Sequence, residues 1–286
     1  MSDFLDAVRK ALLASNVDEK MSLTRQAVKK LADLKKEHIR EAFSDGLGGG
    51  FGEVVDVYAP GRPPQPELVL AGKVPKRAMG TLEGQKTMMH AIAHIEFNAI
   101  NLALDAVQRF DQMPLAFYAD WIRVALEEVY HFELVRAHLR HLGAEYGDYP
   151  AHNGLWEMAE STSHDVLVRM ALVPRVLEAR GLDVTPSIQK KFVNVGDSHA
   201  ATLLDIIFND EVGHVAIGTR WFRYVCKQRQ IKPTETFFTL VEKHFPKGIG
   251  GVLNLQAREQ AGFSEAEINI LLGGCPRIER PTVKDV

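Results

Sequence analysis

Two stretches far apart in the chain, ALEEVYHFEL at residues 125–134 and FNDEVGHVAI at 208–217, share one skeleton: acid, Glu, Val, any residue, His. Three residues turn an α-helix by about 300°, so Glu128 and His131 lie on one face, as do Glu211 and His214. A carboxylate and an imidazole aimed at one point make half of a metal site. A helix bundle that binds two metal ions in its core takes a Glu from each of two helices and a Glu-x-x-His from each of the other two. The doubled skeleton supplies the second pair and raises the question of where the single glutamates are.

Spacing points to them. Glu96, in HAIAHIEFNAI, precedes Glu128 by 32 residues, with the turn DQMP about midway, so in an antiparallel hairpin the two side chains face each other. Glu178, in VLEARG, precedes Glu211 by 33 residues. Two matched triplets result: Glu96 with Glu128 and His131, and Glu178 with Glu211 and His214. The second is the weaker match, because Gly181 reads as a helix stop just after Glu178, and Glu157, Glu160 or Asp165 are alternative donors from the same helix. Helical neighbours of the triplets are apolar or small, among them Ile92, Ala99, Val124, Phe132, Val215 and Gly218. Carboxylates in such surroundings carry a large desolvation penalty that divalent cations offset.

Glu127 and Asp210 each sit four residues before a motif histidine, within reach of an imidazole on their own helix or on the facing one. Metal-bound histidines usually give their second N–H to a carboxylate, and that is the role expected of both. Four carboxylates and two imidazoles without thiolate suit two iron ions, with manganese or a mixed manganese–iron pair as the alternative. Catalysis is expected to run through the metal centre held by these six residues. His90 and His94, one turn apart, are rotated away from Glu96 and are expected to pack or to contact the preceding arm. His138 and His141 are expected to face solvent, and Tyr130 to be a buried aromatic.

The helices that position these residues can be traced by apolar periodicity. Residues 1–45 form an N-terminal helical extension, 46–84 a Pro/Gly-rich arm, 85–230 a four-helix bundle, and 231–286 short C-terminal helices and a tail. The third bundle helix is expected to kink at Pro174 and to end before a connection LDVTPS, and Ser198 to cap the fourth. No period-two pattern is long enough to found a sheet, so the fold class is all-α.

Composition narrows the classes. At 46% hydrophobic and 25% charged the chain can bury a core, and its formal net charge of -3 offers no overall positive field for nucleic acid. The basic stretch RQAVKKLADLKKEH keeps helical apolar spacing and reads as a solvated helix face, although it and KVPKR leave an RNA substrate as an alternative. Two cysteines and no apolar run of bilayer length fit a cytoplasmic protein with no membrane partner. A homodimer is a further expectation.

At PGRP, HAIAHIE, ALVPRVLEARGLD and DEVGHVAIGTRW the chain resembles the bacterial ferritin-like proteins grouped as domain of unknown function 455, over roughly residues 55–265. The resemblance implies a ferritin-like four-helix bundle with a di-metal carboxylate centre, and it favours Glu178 because RVLEARGLD belongs to the family pattern. Glu127 stands where that pattern has Asp. More distantly the arrangement is similar to di-iron oxygenases and oxidases, including the bacterial tRNA hydroxylase, and to ribonucleotide reductase small subunits. The expected function is a di-iron protein that activates O2 to oxidise or hydroxylate an organic substrate. Ferroxidase or iron-handling activity, manganese catalase-like peroxide scavenging and a non-enzymatic helical module are the alternatives, in that order.

Overall fold

The computed structural model of the chain describes residues 1–42, 59–75, 77–111 and 113–273. The described residues are helical with no β-strand, as the all-α expectation requires, and divide into two compact units. The first 13 residues of the expected arm and the C-terminal GCPRIERPTVKDV lie outside them.

One unit holds residues 1–166 and 186–210. Helix α1 (Ser2–Leu13) buries Phe4, Val8, Ala11 and Leu12 at helical spacing and packs on α2 (Val17–Ala42), and both lean on the central pair. That pair is α3 (Leu82–Arg109) and α4 (Leu115–His141), an antiparallel hairpin with extensive helix–helix contact. The Thr81 side chain accepts from the Gly84 N–H at 3.0 Å to start α3. Pro114 is the N-cap of α4, and its carbonyl accepts from the Phe117 N–H at 2.8 Å. Helix α5 (Gly154–Ser161) packs on α3.

The described part of the arm is tied down within this unit. The Gly61 N–H donates to the Leu12 carbonyl at 2.9 Å, where Lys20 Nζ also donates at 2.7 Å. A Cβ at Gly61 would stand 2.0 Å from the Leu13 oxygen, so only glycine allows the arm to approach the end of α1 so closely. Further on, the Val69 N–H donates to Ala151 O and the Ala151 N–H to Glu67 O, clipping the arm to the loop after α4.

The other unit holds residues 167–185 and everything from 211 onward. Helix α6 (Val166–Leu172) runs into a π-helical turn, Val173–Glu178, and then α7 (Ala179–Asn194). Helix α8 (Ser198–Gln228) is followed by α9 (Pro233–His244), α10 (Leu255–Gln260) and α11 (Glu265–Leu271). Two buried arginines organise the unit. Arg175 lies 2.7 Å from Glu267 Oε1, donates to Thr219 Oγ1 at 3.2 Å, and sits over the rings of Phe222, Phe237 and Phe263 at 4.6, 4.1 and 4.6 Å. Arg258 pairs with Asp183, Nη2 to Oδ2 at 2.7 Å, and both side chains are fully buried.

Three sequence expectations change here, and the irregularity expected at Pro174 takes a specific form. The third helix is not continuous, because the Thr162 hydroxyl donates to the Met158 and Ala159 carbonyls and the Ser161 hydroxyl to Met158, which closes α5 before α6 begins. Pro174 sits in a widened π-helical turn, and the segment 182–187 that was expected to be a connection is helical. Pro186 removes the N–H that would bond the Leu182 carbonyl, and Asn254 Nδ2 replaces it at 3.2 Å. Finally, Asp197 rather than Ser198 caps α8, its Oδ1 accepting from the Ala200 N–H at 2.9 Å.

Candidate metal centre

The hairpin brings Glu96, Glu128 and His131 together in its interior, with side-chain exposures of 5%, 2% and 0%. His131 Nδ1 stands 3.4 Å from Glu96 Oε2 and 3.3 Å from Glu128 Oε2, while Nε2 stands 2.9 Å from Asp210 Oδ2. Glu96 Oε2 is closed off from solvent, and its contact with His131 Nδ1, at 3.4 Å, is too long to offset its burial fully. Burial and the neighbouring Glu128 push the Glu96 carboxyl well above the usual carboxylate range. Burial alone would push the His131 imidazole down, but hydrogen bonds and charge from Glu128 and Glu96 overrule it and hold the ring up at about 11. A cation at this point would offset the burial of both carboxylates.

Helix α8 runs unbroken through the division between the units, which falls between Asp210 and Glu211. Glu96, Glu128, His131 and Glu211 each offer a ligand atom, and these atoms all lie within 4.8 Å of one another. This buried Glu/Glu/His/Glu cluster could bind a metal ion.

The second Glu-x-x-His repeats the local geometry of the first. His214 Nδ1 lies 3.4 Å from Glu211 Oε1, and the imidazole is buried. Glu178 ends the π-helical turn with its Oε2 shut off from solvent. One turn further along α8, Gly218 receives the Pro174 ring, and a Cβ there would stand 2.4 Å from Pro174 Cγ. The four-residue group takes in neither Glu178 nor His214. Of the alternative donors, Glu160 accepts from Trp156 Nε1 at 2.9 Å on α5, Glu157 is exposed, and Asp165 lies in the break after α5; none joins the group. Glu127 is half-buried, with Arg123 3.8 Å away.

The arm walls a cavity of about 120 Å³ with Pro60, Arg62, His94, Asn98, Asn101 and Trp156 among its lining. On α3 these positions lie roughly 140–200° around the helix from Glu96, so this cavity opens on the far side of the helix from the carboxylates. His94 Nδ1 lies 3.0 Å from the Tyr146 hydroxyl, and His90 Nε2 accepts from the Gly147 N–H at 2.9 Å. Burial pushes both imidazoles down to about 4.

Two expectations about single residues are overturned. His138 is buried with its Nε2 2.7 Å from Asp197 Oδ2, because an acid 59 residues away offers it a partner inside. Tyr130 is 49% exposed, since it lies on the face of α4 turned away from Glu128 and His131. Asp197 and the Arg175 clamp carried no signal in spacing. An Asp before a helix can be recognised as a cap, but its second oxygen's partner is set only by the fold.

No helix among the described residues is long and apolar enough to cross a membrane. No solved structure matches the chain. An uncharacterized protein of Haemophilus influenzae is 51% identical over 214 residues, which cover 72% of this chain and 74% of the relative. The family described as Protein of unknown function (DUF455) matches residues 13–269, nearly the full length, and the chain belongs to that family.

Proposed function

We propose that the two triplets, Glu96, Glu128 and His131 with Glu178, Glu211 and His214, hold a dinuclear iron centre, and that the protein is an O2-activating oxidase or hydroxylase of an organic substrate. The observation that carries the reading is the buried group of three glutamates and a histidine with ligand atoms within 4.8 Å. The reading includes the ferritin-like bundle that the sequence resemblance implies. The donor set suits the group: carboxylates and imidazoles without thiolate favour iron, with manganese or a mixed pair next. When bound, two ferrous ions would supply electrons to dioxygen and, recharged by an external reductant, support oxidation of a substrate carbon.

The chain's own residues have definable tasks. Asp210 accepts from His131 Nε2–H, which leaves Nδ1, the nitrogen facing Glu96 and Glu128, as the atom for a metal. His131 must release its extra proton first, so loading frees protons and strengthens as pH rises. Burial of Glu96 and Glu128 excludes water from the carboxylates and strengthens every electrostatic contact among them.

The test is anaerobic loading with ferrous iron followed by exposure to air, with dioxygen consumption and the near-ultraviolet spectrum recorded. The reading expects an oxo-bridged diferric band and dioxygen uptake that continues when a reductant is present. Uptake that stops once the added iron is oxidised, with no dependence on reductant, would favour ferroxidase activity instead. An unchanged spectrum with no uptake would overturn both.

A further inference from the structure

Two turns along α4 from His131, about 10.5 Å by helical rise, stands His138, on nearly the same stripe of the helix. It borders an open cleft of about 680 Å³ lined also by Gln85, Leu134, His141, Asp197 and His199, all within one unit. The His138 side chain is 3% exposed. Its Nε2 is held by Asp197 Oδ2 at 2.7 Å, and its Nδ1 is buried with no hydrogen-bond partner. The His199 ring lies 5.1 Å from the His138 ring, centre to centre, and the His141 ring 5.9 Å.

An imidazole whose one nitrogen is engaged by a carboxylate presents the other as a lone pair, the arrangement by which metal-bound histidines are oriented. Two imidazoles sharing a tetrahedral ion at metal–nitrogen distances of about 2.0–2.1 Å have ring centres roughly 5 Å apart. His138 therefore has the orienting acid, the unused nitrogen and two neighbouring rings at a suitable separation. His141 and His199 are exposed and can turn to bring a nitrogen to the ion. We propose that His138, His141 and His199, with Asp197 behind His138, form a separate site for a divalent transition ion such as Zn2+ or Co2+. Three imidazoles select such ions over Mg2+ or Ca2+. The fourth position faces the open cleft, where a water or an exchangeable ligand completes the shell.

The experiment is a Co2+ titration of the full chain, followed by visible absorption and by direct metal analysis. Wild type is expected to bind one more Co2+ per chain than the His141→Ala/His199→Ala double variant, and that last equivalent to carry the intense absorption of a tetrahedral, nitrogen-rich site. Both substituted residues are exposed, so folding should survive. Asp197→Asn keeps an acceptable cap for α8 while removing the charge behind His138, and is expected to weaken this site about 10–100-fold. Equal stoichiometry and identical spectra for wild type and the double variant would overturn the site. An Asp197→Asn affinity equal to wild type would overturn the orienting role of Asp197.

Discussion

The two Glu-x-x-His pairs have the same spacing and nearly the same internal distance, 3.3 Å for His131 to Glu128 and 3.4 Å for His214 to Glu211, yet they are supported in different ways. The first stands on α4, whose long contact with α3 sets Glu96 opposite. The second triplet as proposed takes its lone carboxylate, Glu178, from a proline-bearing π-helical turn that needs outside partners. Gly218 makes room for Pro174, Glu267 and three phenylalanines enclose Arg175, and Arg258 and Asn254 hold the α7 turn that follows. The difference teaches that a repeated motif does not imply a repeated scaffold. One half is positioned by helix geometry, the other by the short C-terminal helices.

The largest effect is expected from cutting the second half's supports. Asp183→Ala leaves Arg258 buried and uncompensated, and is expected to destabilise the protein by about 3–5 kcal/mol, read by urea denaturation. A loss below about 1 kcal/mol would mean that α10 does not hold α7. Next, Gly218→Ala forces a methyl group into the Pro174 ring and should destabilise by about 1–3 kcal/mol, with a lower thermal midpoint. Neutral behaviour there would show that the π-helical turn can shift freely.

The first half is better probed by pH. The folded-state pKa values of Glu96 and His131 are both raised, so the metal-free protein holds protons that the unfolded chain gives up. The stability from His131 is complete below about 6.5, the unfolded value, and is lost as pH rises through about 11. Denaturation of metal-free protein should therefore show stability falling across the alkaline range, by at most about 1.4 kcal/mol per pH unit for each proton involved. With a divalent ion bound, the slope should flatten or reverse, because the metal replaces those protons. A metal-free protein whose stability is flat from neutral to alkaline pH would break the account of this cluster.

The two halves also differ in how far they could be read from the chain. Glu128 and His131, or Glu211 and His214, are three residues apart, and helical geometry carries such pairs directly from sequence to shared face. Glu96 follows from one turn of known position. The course of the chain after Glu178 did not follow, because Gly181 and Pro186 are strong local stop signals. The helix continues through them since Asn254, 72 residues from Leu182, supplies the missing hydrogen bond. His138 was misplaced for the same reason, its burial being decided by an acid on another element. Local chemistry was legible, and long-range compensation was not.

The most direct test of the central claim is the metal content of the purified full chain, measured by mass spectrometry for wild type, Glu128→Ala and Glu211→Ala under one iron-loading protocol. The account predicts about two iron ions per chain in the wild-type centre and a loss in both variants, since the two halves hold one centre. Full retention of iron in either variant, or no metal in any of the three, would contradict it.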